Sequence, residues 1–228
     1  MMKASNRKLI VGILALSLAL PLATLNGNAA GTPSSKSTFQ TSDLVLIPET
    51  TGTSDWVTVL SGIIKTAQNK DMFISGSLEA GLFTETLVKS KNMKKDTSTA
   101  TVSIQARALI DGNQVPPGVV TYAARTQTLS ATLEGAIAGC LTIVTNADGS
   151  LSVVLDETCV TPEEIDLILS TLNAASFDFV AVDVPVGVHT VSLQARITTS
   201  GSAQEGSFTA FGFVGKGTMI VDSVRLAK

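Results

Sequence analysis

Few residues in this chain could do chemistry, and His189 is its only histidine. A histidine metal cluster is therefore impossible, and any catalytic triad would need His189 as its base. Ser192 follows on the same predicted strand, and no Gly-x-Ser-x-Gly elbow occurs. A polar residue at the entry to a strand explains His189 better. A hydrolase using His189 is thus the third-ranked function, and we predict no catalytic residue and no cofactor.

Two sets of polar residues raise the question of a metal site. Asn146, Asp148 and Ser150 alternate as in a calcium loop, but Leu151 stands where such a loop needs glycine. Because Asp-Gly is also a hairpin-turn sequence, we interpret this segment as a turn and predict no metal ligand. A calcium ion shared by loop carboxylates such as Asp111 and Asp183 stays open as an alternative.

Cys140 and Cys159 are the only cysteines. Between them, two apolar–polar runs surround an Asp-Gly pair, which predicts a β-hairpin with the cysteines at its open end. An even cysteine count in an exported chain favours a disulfide between them. Such a bridge closes a loop of roughly 20 residues and contributes about 3 kcal/mol in the chain-entropy model. A pair of buried free thiols is the alternative.

Residues 1–30 have the three parts of a secretory signal peptide. They are a basic head with Lys3, Arg7 and Lys8, an apolar run over 9–25, and a small-residue stretch that begins at Gly27. A retained membrane anchor is the alternative, because the apolar run approaches the ~20 residues that span a bilayer. We therefore predict a secreted, extracellular protein with no membrane attachment after cleavage.

The composition that remains after the signal predicts a β protein with an acidic surface. Removing the basic head leaves 13 basic and 19 acidic residues, a balance that argues against a nucleic-acid partner. Thr, Ser, Val and Ala dominate, and residues 100–108 alternate strictly between apolar and polar, as in a strand that covers a core. We expect residues 31–39 to form a flexible lead and residues 40–228 a single antiparallel, jelly-roll-like β-sandwich, in the all-β class.

One segment, about 161–174, predicts a short helix at the end of the sandwich. Thr161-Pro162-Glu163-Glu164 has the sequence of a helix cap, with Pro at the first helical position. Apolar residues then recur at helical spacing, namely Ile165, Ile168, Leu169 and Leu172.

The chain contains an internal echo, since TVSIQAR at 101–107 returns as TVSLQAR at 190–196. It indicates either two domains of immunoglobulin-like size or two equivalent strands of one larger sandwich. The echo segments have no Pro/Gly-rich linker between them, which favours one sandwich. We predict that the outward-facing Gln and Arg of each copy form a solvent-exposed or subunit-interface surface.

Three segments near the C-terminus, at 177–179, 186–196 and 215–221, are similar to the closing strands of secreted jelly rolls. These include the tumour-necrosis-factor-like and complement-subunit-like modules. The resemblance implies a jelly-roll fold and a habit of assembling, often as trimers. It carries over no catalytic residue, because that group is mostly non-enzymatic. The chain departs from the group in its low aromatic content and in having no collagen-like stalk.

Together these observations predict a secreted, non-enzymatic structural or interaction module that acts through self-association as a homo-oligomer. An extracellular glycan or cell-surface molecule is a further candidate partner, and a carbohydrate-binding module is the alternative function. Sugar-binding faces stack sugar rings on exposed aromatic side chains. The chain has a single tryptophan, Trp56, and its context predicts a core position, as it does for most of the phenylalanines.

The disulfide can be tested by mass. We expect the non-reduced mature protein to be two hydrogens lighter than the reduced protein, because Cys140 and Cys159 are joined. Two thiols that react with an alkylating agent in the native protein would show that the bridge is absent.

Overall fold

The structure, a computed structural model, describes residues 37–45, 47, 52–137 and 139–226, and all regular elements in this part of the chain are β-strands. The strands are β1 (Ser37–Ser42), β2 (Gly52–Thr53), β3 (Val57–Thr66), β4 (Lys70–Ser90), β5 (Lys94–Ile110), β6 (Asn113–Gln114), β7 (Val120–Leu133), β8 (Leu141–Thr145), β9 (Leu151–Leu155), β10 (Glu163–Val184), β11 (Gly187–Ala203) and β12 (Ser207–Val224). The predicted signal peptide and most of the predicted lead lie outside the described residues, but residues 37–39 of that lead belong to β1. No described segment forms a helix with the length and apolarity needed to cross a membrane.

Eight long strands form two antiparallel sheets in the strand order of a jelly roll. Sheet A has the order β1-β12-β4-β10, and sheet B has the order β3-β11-β5-β7, with the short β2 and β6 pairing with β11 and β5. Most consecutive long strands lie in different sheets, as expected for two Greek keys wound into one sandwich. The antiparallel all-β sandwich predicted from the sequence is confirmed.

The core lies between the two sheets and is built from alternate residues of their strands. Ile104 of β5 and Ile74 of β4 are fully buried and belong to one apolar cluster that draws on both sheets. The strict alternation at 100–108 appears in the structure as buried residues separated by partly exposed ones. Burying each large aliphatic side chain in this way contributes about 1.5–3 kcal/mol.

The predicted helix at about 161–174 is wrong, because β10 runs through this segment as an edge strand of sheet A. β10 pairs residue by residue with β4, beginning with Glu163 opposite Ser90. The segment also carries the period of a strand, with Leu167 and Leu169 on one face. Helix propensities differ by less than about 1 kcal/mol per residue, so pairing with a long partner strand outweighs them.

Side chains of β7 bridge the open side of the sandwich between the edge strands β7 and β10. Gln127 donates from Nε2 to the Leu167 carbonyl oxygen (2.6 Å), and Arg125 donates from Nη1 to the Leu169 carbonyl oxygen (3.0 Å). Backbone groups on an edge strand can pair with another chain. Here, polar side chains from the same chain satisfy two carbonyl groups of that strand.

Gln127 is buried and uses both ends of its amide group. Its Oε1 accepts a hydrogen bond from Thr84 Oγ1 (2.6 Å), and its Nε2 donates to Thr86 Oγ1 (2.7 Å) as well as to β10. Both threonines are fully buried. Because buried polar groups are costly without partners, this one side chain supports polar atoms of two strands.

The two echo segments lie side by side in sheet B, so they are neighbouring strands of one sandwich. Ala106 of β5 stands opposite Ala195 of β11, which places Arg107 opposite Gln194 and Arg196 opposite Gln105. The two copies are therefore related by a local twofold axis between antiparallel strands. Equivalent positions in one sheet explain why the same short sequence occurs twice.

We expect Gln127→Leu to lower the free energy of unfolding by about 2–3 kcal/mol, because the buried Thr84 and Thr86 hydroxyls lose their partner. Thr128→Val alters the next residue of β7, which is exposed, and should cost less than about 0.5 kcal/mol. Urea unfolding followed by circular dichroism measures both. Equal losses in the two variants would contradict a special role for Gln127.

Candidate functional site

The outer face of sheet B carries a cluster formed by Trp56, Arg107 and Arg196, which we call the Arg–Trp cluster. Ala106 and Ala195 are buried in the core. Successive residues of a strand point to opposite sides, so the adjacent arginines project from the two central strands onto the outer surface.

Each guanidinium group is oriented by the glutamine opposite it. Arg107 donates from Nε and Nη2 to Gln194 Oε1 at 3.0 and 2.8 Å, and Arg196 donates from Nε to Gln105 Oε1 at 2.7 Å. Gln194 in turn donates from Nε2 to Thr58 Oγ1 (3.1 Å), which fixes the direction of its amide. Hydrogen bonds from a charged donor are stronger than neutral ones, so they hold both arginines in place.

Trp56 lies against both guanidinium groups. The Cζ atoms of Arg107 and Arg196 are 4.2 and 4.6 Å from the ring centre, within cation–π range. Ser54 positions the ring, because its backbone N–H donates to the Ile197 carbonyl oxygen (2.8 Å) and its hydroxyl accepts from the Ile197 N–H (3.0 Å). The prediction that Trp56 belongs to the core is wrong, since the ring is half-buried on the outer face.

The Arg–Trp cluster brings two positive charges together without a carboxylate beside them. No ion pair within the described residues involves either arginine. Burial, followed by the charge of Arg196, lowers the pKa of Arg107. The ordinary pKa of arginine lies so far above neutral that both side chains stay charged. The arrangement suits an anionic ligand.

The sequence contained part of this site. The sequence predicted that the Gln and Arg of each echo face outward, but it also predicted that Trp56 lies in the core. The signal that could have found the cluster is the Gln-Ala-Arg spacing. If two such segments pair antiparallel at the alanine, each glutamine meets the arginine of the other strand.

His189 is held as an imidazolium between two acceptors. The buried ring donates from Nδ1 to Asp111 Oδ2 (2.7 Å) and from Nε2 to the Pro185 carbonyl oxygen (2.9 Å). A neutral imidazole has only one N–H, so both bonds together require the protonated ring. Burial acts to lower the pKa of His189, but the two bonds and the charge of Asp111 outweigh it, and the pKa is raised.

The contacts of Asp111 indicate that it and His189 form a structural clamp. Asp111 Oδ1 accepts from the Thr190 N–H (2.8 Å), and the bond to His189 is the largest cause of its lowered pKa. Ser192 lies on the opposite face of β11 from His189, so the structure does not bring a Ser–His pair together. The clamp joins the turn after β5 to the turn before β11.

The candidate calcium residues are engaged in local contacts. The Ser150 N–H donates to Asp148 Oδ1 (2.9 Å), and Asn146 Nδ2 donates to Ser150 Oγ (2.9 Å), as in a hairpin turn. The described residues contain no group of three or more His, Cys, Asp or Glu side chains that could hold a metal ion, and this includes the surroundings of Asp111 and Asp183.

Cys140 and Cys159 lie at the base of a hairpin that stands apart from both sheets. Their sulfur atoms are 2.06 Å apart and their Cα atoms 5.4 Å apart, as in a disulfide. The hairpin consists of β8 and β9, with Leu141 opposite Leu155. We call residues 140–159 the hairpin arm.

Comparison with known proteins assigns no family. No protein-family model matches the chain, and a search of curated proteins finds no significant match. The resemblance to secreted jelly-roll modules therefore stays an expectation.

The clamp predicts a pH dependence of stability. The raised pKa of His189 means that its stabilisation is complete below the unfolded value of about 6.5 and is lost as the pH rises through the folded pKa. The lowered pKa of Asp111 means that its share is lost only in acid, as the pH falls below about 4. The combined stabilisation is thus greatest between these limits.

We expect the melting temperature of the wild type to fall more steeply than that of His189→Gln between about pH 6.5 and 9. The difference should correspond to about 1 kcal/mol, because the half-exposed Asp111 is screened by solvent. Melting curves across this range measure it. Parallel profiles for the two proteins would show that His189 is not protonated in the folded state.

Proposed function

We propose that the protein is a secreted, non-enzymatic structural module that assembles with copies of itself, and that the hairpin arm is the main contact. The arm exposes apolar side chains on both faces, and the face with more of them carries this proposal. The side chains on that face are 41–70% exposed, and they are Leu141, Ile143, Leu151, Val153 and Leu155.

Exposure of this face to water is unfavourable, and a partner that covers the face would recover the free energy of burying its side chains. β8 and β9 pair only with each other among the described strands, and a two-stranded hairpin alone is marginally stable. Burying each large aliphatic side chain contributes on the order of 1 kcal/mol or more. Contiguous exposed apolar surface is typical of sites that contact another protein, a membrane or a ligand.

A second copy is the partner that the chain itself can supply. β10 follows the arm after a short connection and exposes Ile168 and Leu172, 55% and 58% accessible, on the outer face of sheet A. Arm and strand belong to one stretch of the chain, so two copies related by a twofold axis can each bury the arm against the partner's β10. A self-complementary surface is what a twofold interface requires.

A second mode of assembly is strand exchange, in which the N-terminal segment 44–47 of one copy completes a sheet of another. This mode is less well supported. In the described part of this segment, Val45 pairs with Val214 of the same chain and Ile47 is buried in the same core. On the other side of sheet A, side chains of β7 already bond to carbonyl groups of β10. Packing of side chains on the arm is therefore the favoured mode of assembly.

Export and the absence of catalysis are parts of the same proposal. Export is supported by the signal-like pattern at residues 1–30 and by two cysteines at bonding distance, since disulfides persist outside the cytoplasm. A non-enzymatic role is supported by His189, the only histidine, because Asp111 and Pro185 occupy both ring nitrogens.

We expect the mature wild-type protein to be a homo-oligomer and the double variant Ile143→Thr/Val153→Thr to be a monomer, because the hydroxyls weaken the apolar contact. Light scattering coupled to size-exclusion chromatography measures the mass. The matched control is Val144→Thr/Val154→Thr, the same change on the opposite face of the arm, which should leave the oligomer intact. A wild type that stays monomeric at high micromolar concentration would remove the proposal.

A further inference from the structure

We infer that the Arg–Trp cluster is a binding site for the carboxylate groups of an acidic polysaccharide, that is, a glycan containing uronic acids. The inference is independent of self-association, because it rests on the outer face of sheet B and uses no residue of the hairpin arm or of β10.

Both guanidinium groups have N–H donors that are not used by described residues and can bind a ligand. Nη1 of Arg107 and both Nη atoms of Arg196 donate to no described residue. A guanidinium group carries five N–H donors in a planar fork that matches both oxygens of a carboxylate. Gln194 and Gln105 hold the two forks in fixed positions, so a ligand binds without first having to order them.

The strands of sheet B place no carboxylate beside these charges on its outer face. Asp96 is the single acidic residue in the strands of this sheet. It is 1% exposed and accepts hydrogen bonds from the backbone N–H groups of Lys89, Thr97 and Glu205. An external anion therefore meets no competing carboxylate from these strands.

The surroundings of the cluster suit a sugar better than a protein. Outward residues of β5 from Thr97 to Arg107, and of β11 from Gln194 to Ser202, carry hydroxyl, amide or guanidinium groups. Hydroxyls pair across β5 and β7, namely Thr97 with Ser130, Thr99 with Thr128, and Thr101 with Thr126. Protein interfaces have an apolar, aromatic-rich centre, which these rows lack, whereas sugar hydroxyls can exchange hydrogen bonds with them.

Trp56 acts here by positioning the cations. Both guanidinium groups already lie against its ring, so the ring holds and partly desolvates them rather than serving as an open platform for a sugar. Desolvation strengthens the attraction between the guanidinium groups and a carboxylate. Because Trp56 is the only tryptophan, its emission reports directly on this site.

The test is a fluorescence titration of the mature protein with a short oligomer of galacturonate. We expect a saturable change in Trp56 emission that weakens with added salt, as screening requires. Arg107→Gln and Arg196→Gln should each raise the dissociation constant about tenfold, the effect of losing one charged hydrogen-bond donor. Arg107→Lys/Arg196→Lys should retain part of the affinity, because the charges remain.

Lys216→Gln removes a charge from sheet A and is the matched control, which should bind like the wild type. Circular dichroism verifies that the variants are folded. Equal binding of a neutral galactose oligomer, or unchanged binding by a folded variant carrying both arginine-to-glutamine substitutions, would overturn the inference. Equal or tighter binding of an oligoglutamate would assign the site to an acidic peptide instead. The hairpin-arm variants, monomeric or not, should bind the galacturonate oligomer normally.

Discussion

The antiparallel pairing of β5 with β11 is the contact on which the rest of the structure depends. It joins segments far apart in the chain, so its formation must offset a long loop closure. With Ala106 opposite Ala195, this register decides which side chains enter the core and which glutamine meets which arginine. A slip of β11 by one residue against β5 would turn Arg196 inward and its aliphatic neighbours outward. The register of β5 against β11 therefore determines both the core and the Arg–Trp cluster.

The edge strand β10 and the hairpin arm are exposed in opposite ways, since polar side chains cover the first and apolar side chains line the second. Along β10, Gln127 and Arg125 reach from the neighbouring edge strand to backbone carbonyl groups. Tyr122 does the same, with its hydroxyl accepting from the Leu78 N–H (2.7 Å) and donating to the Ala175 carbonyl oxygen. The hairpin arm, by contrast, presents aliphatic side chains to solvent. The bonds along β10 hinder pairing of that edge with another chain. The aliphatic side chains of the arm favour packing against another apolar surface.

The two sheets also differ in charge. The strands of sheet A carry nine acidic and three basic residues, whereas those of sheet B carry six basic residues and the single buried Asp96. Although the net charge of the chain is acidic, the strands of one sheet thus carry an excess of basic residues. The apolar residues of β10 that are proposed to receive a partner's hairpin arm lie on sheet A, and the donors proposed for an anionic ligand lie on sheet B.

The sequence by itself determined the features that depend on neighbouring residues. Alternation at 100–108 predicted a core-covering strand, and the Asp-Gly turn between the two cysteines predicted the hairpin. Tertiary structure decided the rest, because the deciding partners are distant in sequence. The segment 161–174 has apolar residues at both helical and strand spacing, and only the pairing with β4 makes it a strand. Trp56 has an apolar context, but the bonds of the neighbouring Ser54 to β11 place it on the surface against two arginines. The charge of His189 in β11 likewise depends on Asp111, which lies in the distant turn after β5, because a carboxylate at hydrogen-bond distance is what keeps a buried imidazole protonated.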